Sequence, residues 1–306
     1  DMSRGLGDVY KRQAVNAHGV TERKALIMVV ATAGDKTKDE WLAFLSLDYR
    51  EKLSSNAPKT IVSRRRHVGP LTMQRAFYPE QGGICHTYLL HPPAGITGND
   101  RLTIHANLED QAKVVVTTPG ATRFYRTNGQ GASLHQQLHI DNETQLEWLP
   151  QETLVYANTN ATMSNEIRMR GNGQYFGWEV VGLGRPASGE YFTEGCFEFC
   201  TQIYRDNRLC IRDRIQSDGM PAGLQKNHAF ATLIASGANA EVLEVAQKIC
   251  ATNKVLSAPT LIEDFMVVRA LASECNPITD LFRQLWQTLR PNLFGRPALP
   301  PQIWRT

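Results

Sequence analysis

A mainly β protein is predicted, with many short strands stacked in a layered or coiled sheet body and about two α-helices near the C-terminus. Short apolar stretches recur from Trp41 to Gln216, each bounded by the Gly, Pro, Asn and Asp residues that end strands. No helical period separates them, which argues against βαβ units. Near residue 238 the texture changes, and apolar residues begin to repeat at helical spacing.

The 306 residues are 42% hydrophobic and 21% charged, enough to bury a large core and unlike a disordered chain. A net charge of +3, from 33 basic and 30 acidic residues, is too small to make nucleic acid or an anionic membrane the main partner. Six cysteines without a Cys-x-x-Cys pair suit a reducing compartment, so a cytoplasmic location is expected. The apolar run Ala25 to Ala33 looks like a short signal-peptide core, but it is too short to span a membrane and follows a polar lead-in containing Glu22. Residues 1–38 therefore read as a disordered leader of uncertain origin, and residues 39–306 as a single β-rich domain.

Trp41, Ala43, Leu45, Leu47 and Tyr49 alternate as a half-buried strand requires. The basic run Arg64-Arg-Arg-His67 reads as a solvated strand end. Strands follow at Cys85 to His91, at Leu102 and Ile104, at Lys113 to Thr118 and at Leu134 to Ile140. Others are expected at Leu146 to Tyr156, Glu166 to Arg170, Tyr175 to Leu183, Phe197 to Tyr204 and Arg208 to Gln216. No fixed-length repeat is visible, so a solenoid is not evident from period alone. Helices are predicted near 240–251, capped by Asn239, and near 277–290, ended by Pro291. The tail through Pro297 and Pro301 is extended, and the aromatic end at Trp304 must dock back or bind a partner.

The familiar chemical motifs are missing. There is no phosphate loop, no His-Glu-x-x-His and no Gly-x-Ser-x-Gly elbow. Cys196 and Cys200 share a strand face and read as two buried thiols. Within Leu146-Glu-Trp-Leu-Pro-Gln-Glu152, Leu146 and Trp148 should face one way and Glu147 and Leu149 the other. Glu147 and Glu152 are near enough in sequence to share a partner. The plain reading is an edge strand with solvated acids; the sharper one is an acidic pair for acid–base or cation chemistry. Glu179 is open to a simple pairing with Arg185.

Specific strings then matter more than periods. His67-Val-Gly-Pro-Leu71, Tyr78-Pro-Glu80, Cys85-His86, Leu89 to Gly95, Asp100-Arg-Leu102, Thr117 to Arg126, Leu146 to Glu152, Gly177-Trp-Glu179 and Gly184-Arg-Pro186 occur in that order. With Leu285 to Pro291 and Ile303 to Thr306 they closely resemble the UreD (UreH) family of urease accessory proteins. Where that family has Gly-Gly-Asp, this chain has Gly98-Asn99-Asp100, and asparagine tolerates the positive φ such a turn needs.

The resemblance implies a β-helix-like body that is not an enzyme. It implies a nickel-chaperone scaffold that binds urease apoprotein and recruits UreF- and UreG-type accessory proteins, with GTP hydrolysis on the UreG-type partner. No cofactor is expected to be held tightly, and nickel passes in transit. Asp100, Thr122 and Glu179 match positions implicated in the nickel route, with Asp100 and Glu179 as transient ligands, and Glu147 and Glu152 match the family's acidic pair. His86, Arg123, Tyr125, Arg126, Trp148 and Arg185 lie in the matching strings. Trp286, Arg290 and Trp304 are the expected partner-binding residues of the C-terminal segment. The competing functions are a β-helix carbohydrate-active enzyme using the acidic pair and a metal-free binding module.

Overall fold

In β1 (Leu42–Leu53), Ala43, Leu45, Leu47 and Tyr49 turn inward and are buried, as their alternate spacing predicts. Trp41 precedes the strand and is about half exposed. The computed structural model describes residues 41–305 apart from 54–56, 94 and 225, so the leader expected over 1–38 lies outside the described residues.

Parallel to β1 run β5 (Arg101–Glu109), β8 (Ala132–Ile140), β11 (Thr159–Met169) and β13 (Gly195–Arg205). The antiparallel strands β2 (Pro58–Val68) and β14 (Arg208–Asp218) form the two edges of this first sheet. A second sheet stacks β4 (Cys85–Leu90), β6 (Lys113–Thr117), β9 (Gln145–Leu149) and β12 (Gln174–Leu183) in parallel. It is extended antiparallel by β15 (Ala229–Ala235), β17 (Phe265–Ala272) and β16 (Leu256–Ile262), and at the other end by β3 (Thr72–Met73). Short strands β7 (Thr122–Phe124) and β10 (Thr153–Val155) make a third face beside the end of β12.

The chain thus passes from first sheet to second to third face and returns one rung on, which is a β-solenoid. Its coils are unequal. Thr117 meets Leu149 at a separation of 32 residues, His135 meets Ser164 at 29 and Asn165 meets Thr201 at 36. That inequality hides the repeat from any search at fixed period.

Two cores result. Leu45, Leu134, Leu146, Trp148, Met163 and Tyr175 pack between the sheets. Leu149, Phe176, Trp178 and Val180 face outward from the second sheet and are covered by α1 (Ala240–Thr252) and α2 (Cys275–Phe294). The Asn239 side chain caps α1 by accepting the Val242 amide at 3.0 Å.

Helix α2 differs from expectation by passing through Pro291 and ending only at Gly295, whose φ of 65° and amide bond to the Pro291 carbonyl form the C-cap. Leu293 and Phe294 are buried, and their packing offsets the hydrogen bond that proline cannot donate. Strands β15 and β16 were not anticipated: Ala229–Ala235 is an apolar run broken only by Thr232, without the polar alternation that marks a half-buried strand, and Pro259 interrupts Leu256–Ile262, as an edge strand allows. Arg64 and Arg65 are exposed on edge strand β2, where charge discourages further strand pairing. Cys196 and Cys200 are half-buried free thiols rather than the fully buried pair expected. Among the described residues, no helix is long and apolar enough to cross a membrane.

Leu285 is completely buried between α2 and the second sheet. Leu285→Ala should destabilise the protein by about 2–5 kcal/mol through lost burial and a residual cavity, measured by urea denaturation.

Candidate functional site

The alternation read in Leu146 to Glu152 holds: Leu146 and Trp148 face the solenoid interior, while Leu149 joins the helix-side core. Glu147 is not solvated. Its strand β9 lies between β6 and β12 rather than at an edge, and its side chain is 0% exposed. A bare carboxylate there would be prohibitive, and the structure supplies four donors. Arg290 reaches its two oxygens through Nε at 2.8 Å and Nη2 at 2.9 Å. Arg296 Nη2 donates at 2.6 Å and Trp286 Nε1 at 2.6 Å.

Arg290 also grips Glu80 at 2.6 and 2.8 Å, and its Nη1 donates to the Pro297 carbonyl. The Nε2 of His86 donates to Glu80 at 2.6 Å, so His86 is a support for this acid. Burial opposes ionisation of Glu80, but the hydrogen bonds from His86 and Arg290 outweigh it and hold its carboxyl at about 2. Two carboxylates facing two guanidinium groups leave the cluster neutral. Around it the chain end docks back: the Trp304 ring lies 5.5 Å from Trp286 and 5.9 Å from Trp178, and its indole N–H donates to Thr117 at 3.0 Å.

The expected partner-binding set is therefore corrected. Trp286 and Arg290 are completely buried and Trp304 is half-buried, so they secure α2 to the solenoid. The acidic pair also separates. Glu147 is sealed in the cluster, whereas Glu152 lines a surface depression with Arg123, Asp280 and Arg283. The shared partner expected of the two acids does not exist, and a glycosidase-like pair loses one member to four donors.

Glu179 has a different setting. It projects from β12 between the sheets and lines two cavities, of about 200 and 290 Å³. The first also carries His91, Thr122, Arg123, Gln136 and Trp148. The second carries Asn165, Thr201, Asp213, Thr232 and Arg269. Asn165 donates to Glu179 at 3.4 Å. Burial pushes the Glu179 carboxyl up to about 8, against hydrogen bonds from Gln136 and Asn165 that favour ionisation. The pairing of Glu179 with Arg185 is overturned: Arg185 is bound to Glu190 and lies over the Tyr156 ring.

Asp100 is buried but does not line either cavity; its Oδ2 accepts the Thr97 amide at 2.8 Å and so ties the turn before β5. Asn99 holds φ at 67°, as the substituted turn requires, and a Cβ at Gly98 would lie 2.7 Å from the Thr127 carbonyl oxygen. The charge of Asp100 partly offsets the burial that lowers the basicity of His91. Thr122 and Glu179 thus share a cavity, with Asp100 behind its histidine. Tyr125 packs edge-on against Tyr156 at 5.0 Å, and Arg126 is exposed.

Glu80, His91, Arg296 and Asp213 were missed as site residues. Their partners are up to 210 residues distant, and only Glu80 and His91 lay within matching strings. Among the described residues, no three His, Cys, Asp or Glu side chains converge as a metal cage.

The fold is thus a helix-sealed β-solenoid in which one acid, Glu179, borders two cavities. The chain belongs to the UreD family: the model of the UreD urease accessory protein matches residues 42–305. It is 40% identical over 273 residues to the urease accessory protein UreD of Pseudomonas fluorescens, covering 87% of this chain and 95% of that one. The corresponding protein of Alcanivorax borkumensis is 37% identical over 274 residues, 87% of this chain and 92% of the relative. That of Azoarcus sp. is 38% identical over 274 residues, with 87% and 94% covered.

Glu147→Ala should cost about 3–5 kcal/mol in chemical denaturation, because it strands Arg290 and Arg296 without their shared anion. The pH dependence has a definite sign. The folded-state pKa of Glu80 is depressed, so its contribution is complete above about 4.5 and is lost as pH falls toward about 2. A thermal melting series over that window should fall more steeply for the parent than for Glu80→Gln.

Proposed function

We propose that this chain acts in urease maturation as a non-catalytic scaffold that binds urease apoprotein and gathers UreF- and UreG-type accessory proteins for nickel delivery. The relatives it matches carry the name urease accessory protein, and the observation that carries the finer reading is the position of Glu179 as the common wall of two interior cavities. Nickel is the cargo. A transit site must bind a divalent ion through oxygen or nitrogen ligands yet release it, which a single carboxylate among neutral amides suits better than a closed cage. Thr122 and His91 border the same first cavity, and Asp100 contributes by fixing the turn behind it.

GTP hydrolysis is assigned to the UreG-type partner and the working compartment to the cytoplasm. Partner contact is assigned to the outer face of α2, where Gln284, Gln287, Thr288 and Asn292 are exposed above the buried Trp286 and Arg290. Docking of Trp304 braces that face from below.

The test is maturation of urease apoprotein with the accessory proteins and limiting nickel. Glu179→Gln is expected to lower the nickel content of urease by about tenfold or more, measured by metal analysis, while co-purification of urease and accessory partners is unchanged. Normal nickel content with the variant would reject Glu179 as a station.

A further inference from the structure

The interior between the sheets is largely apolar, and an extended polar row crosses it toward the end that carries β13 and β14. In the first sheet, Gln136, Asn165, Thr201 and Asp213 are aligned partners on four successive strands. In the facing sheet, Glu179, Thr232 and Arg269 are likewise aligned on three. The two rows are joined by hydrogen bonds. Asn165 donates to Glu179 at 3.4 Å and to Thr201 at 3.2 Å, and Thr232 donates to Asp213 at 2.6 Å. Arg269 donates to Asp213 through Nη2 at 2.9 Å and Nε at 3.2 Å. The result is one polar cross-section, with Gln136 at the first cavity and Asp213 at the outer wall of the second.

Its outer end is built unlike a structural clamp. β14 is the last strand of the first sheet, so Asp213 and Arg269 bridge the two sheets where the solenoid stack ends, alongside the Arg205–Asp264 and Arg208–Glu263 pairs to the β16–β17 turn. The Arg269 side chain is 52% exposed and Asp213 is 24% exposed. An ion pair this wet is worth little as a fastener and opens readily. When the guanidinium swings into solvent, an inward carboxylate is left beside Thr201 and Thr232, on the same polar row as Glu179.

Building on the nickel-route reading, we propose that Asp213 is the outer station of that route and Arg269 its plug. A divalent cation displaces the guanidinium from Asp213 and is passed along the amide and hydroxyl row to Glu179. Arg269 excludes monovalent ions and stray water by occupying the carboxylate until a doubly charged competitor arrives, since a divalent ion gains about twice the Coulomb energy of a monocation at the same distance.

The experiment compares Asp213→Asn, Arg269→Ala, the charge-swapped pair Asp213→Arg with Arg269→Asp, and Glu179→Gln. Each full chain is assayed with urease apoprotein and the accessory proteins at limiting nickel, with melting temperature recorded alongside. Asp213→Asn is expected to lower nickel in urease by about tenfold, and Arg269→Ala to reduce the nickel concentration needed for half-maximal loading. The swapped pair should keep the parental melting temperature but fail to load urease, because its carboxylate no longer sits on β14. If the swapped pair restores both melting temperature and loading, the ion pair is structural and the proposal is overturned. If Asp213→Asn loads normally while Glu179→Gln does not, the outer station is rejected and the route through Glu179 stands. Normal loading by Glu179→Gln as well would remove the route and this proposal with it.

Discussion

The contact that orders this molecule is the buried cluster in which Arg290 clasps Glu80 on one side and Glu147 on the other. Taking two carboxylates and two guanidinium groups out of water is unfavourable by several kcal/mol per ion before any attraction is counted. The cluster recovers that cost through bidentate geometry and through Trp286, His86 and Gln145, which occupy remaining hydrogen-bonding positions. Neutral overall, it demands one placement of α2 on the second sheet, because any shift along the helix would strand a charge. Apolar packing by Leu281, Leu285 and Leu289 supplies affinity between helix and sheet, but it would tolerate sliding. The ionic cluster supplies the register.

Much of the β body was legible because a strand's alternation is a local signal. The first strand, the long strands at 101–109, 113–117, 132–140 and 145–149 and the cap at Asn239 all followed from neighbouring residues. What was not legible depends on coil closure. Nothing near Glu147 announces Arg290, which lies 143 residues away, and so an acid in a central strand read as a solvated edge. Strand β16 was hidden by Pro259, which only an unpaired edge accommodates. The end of α2 was placed too early because Pro291 weakens a helix locally, whereas burial of Leu293 and Phe294 is decided by the sheet beneath.

The acids illustrate the same division. Sequence offered Asp100, Glu147, Glu152 and Glu179 alike as candidate acids, and the structure gives them four environments. Asp100 ties a turn, Glu147 is saturated by cations, Glu152 borders a surface depression, and Glu179 faces two cavities while its own hydrogen bonds come from the amides of Gln136 and Asn165. Only Glu179 retains interior coordination capacity, since its donors are amides and its burial raises its proton affinity. A family string identifies a residue, but its chemistry is set by what the fold places opposite it.

The ionic cluster also sets a timetable for biosynthesis. Glu80 leaves the ribosome 210 residues before the arginine that neutralises it. At about 5–20 residues per second, that interval is roughly 10 to 40 s. The second sheet is laid down strand by strand during that interval but lacks its α2 lid until the end of it, so its helix-facing side stays wet or is held by other factors. A nascent chain interrupted between β9 and α2 carries two orphan acids, Glu80 and Glu147, on an uncovered apolar surface. Arrival of α2 is thus the step at which both acids gain their shared cation.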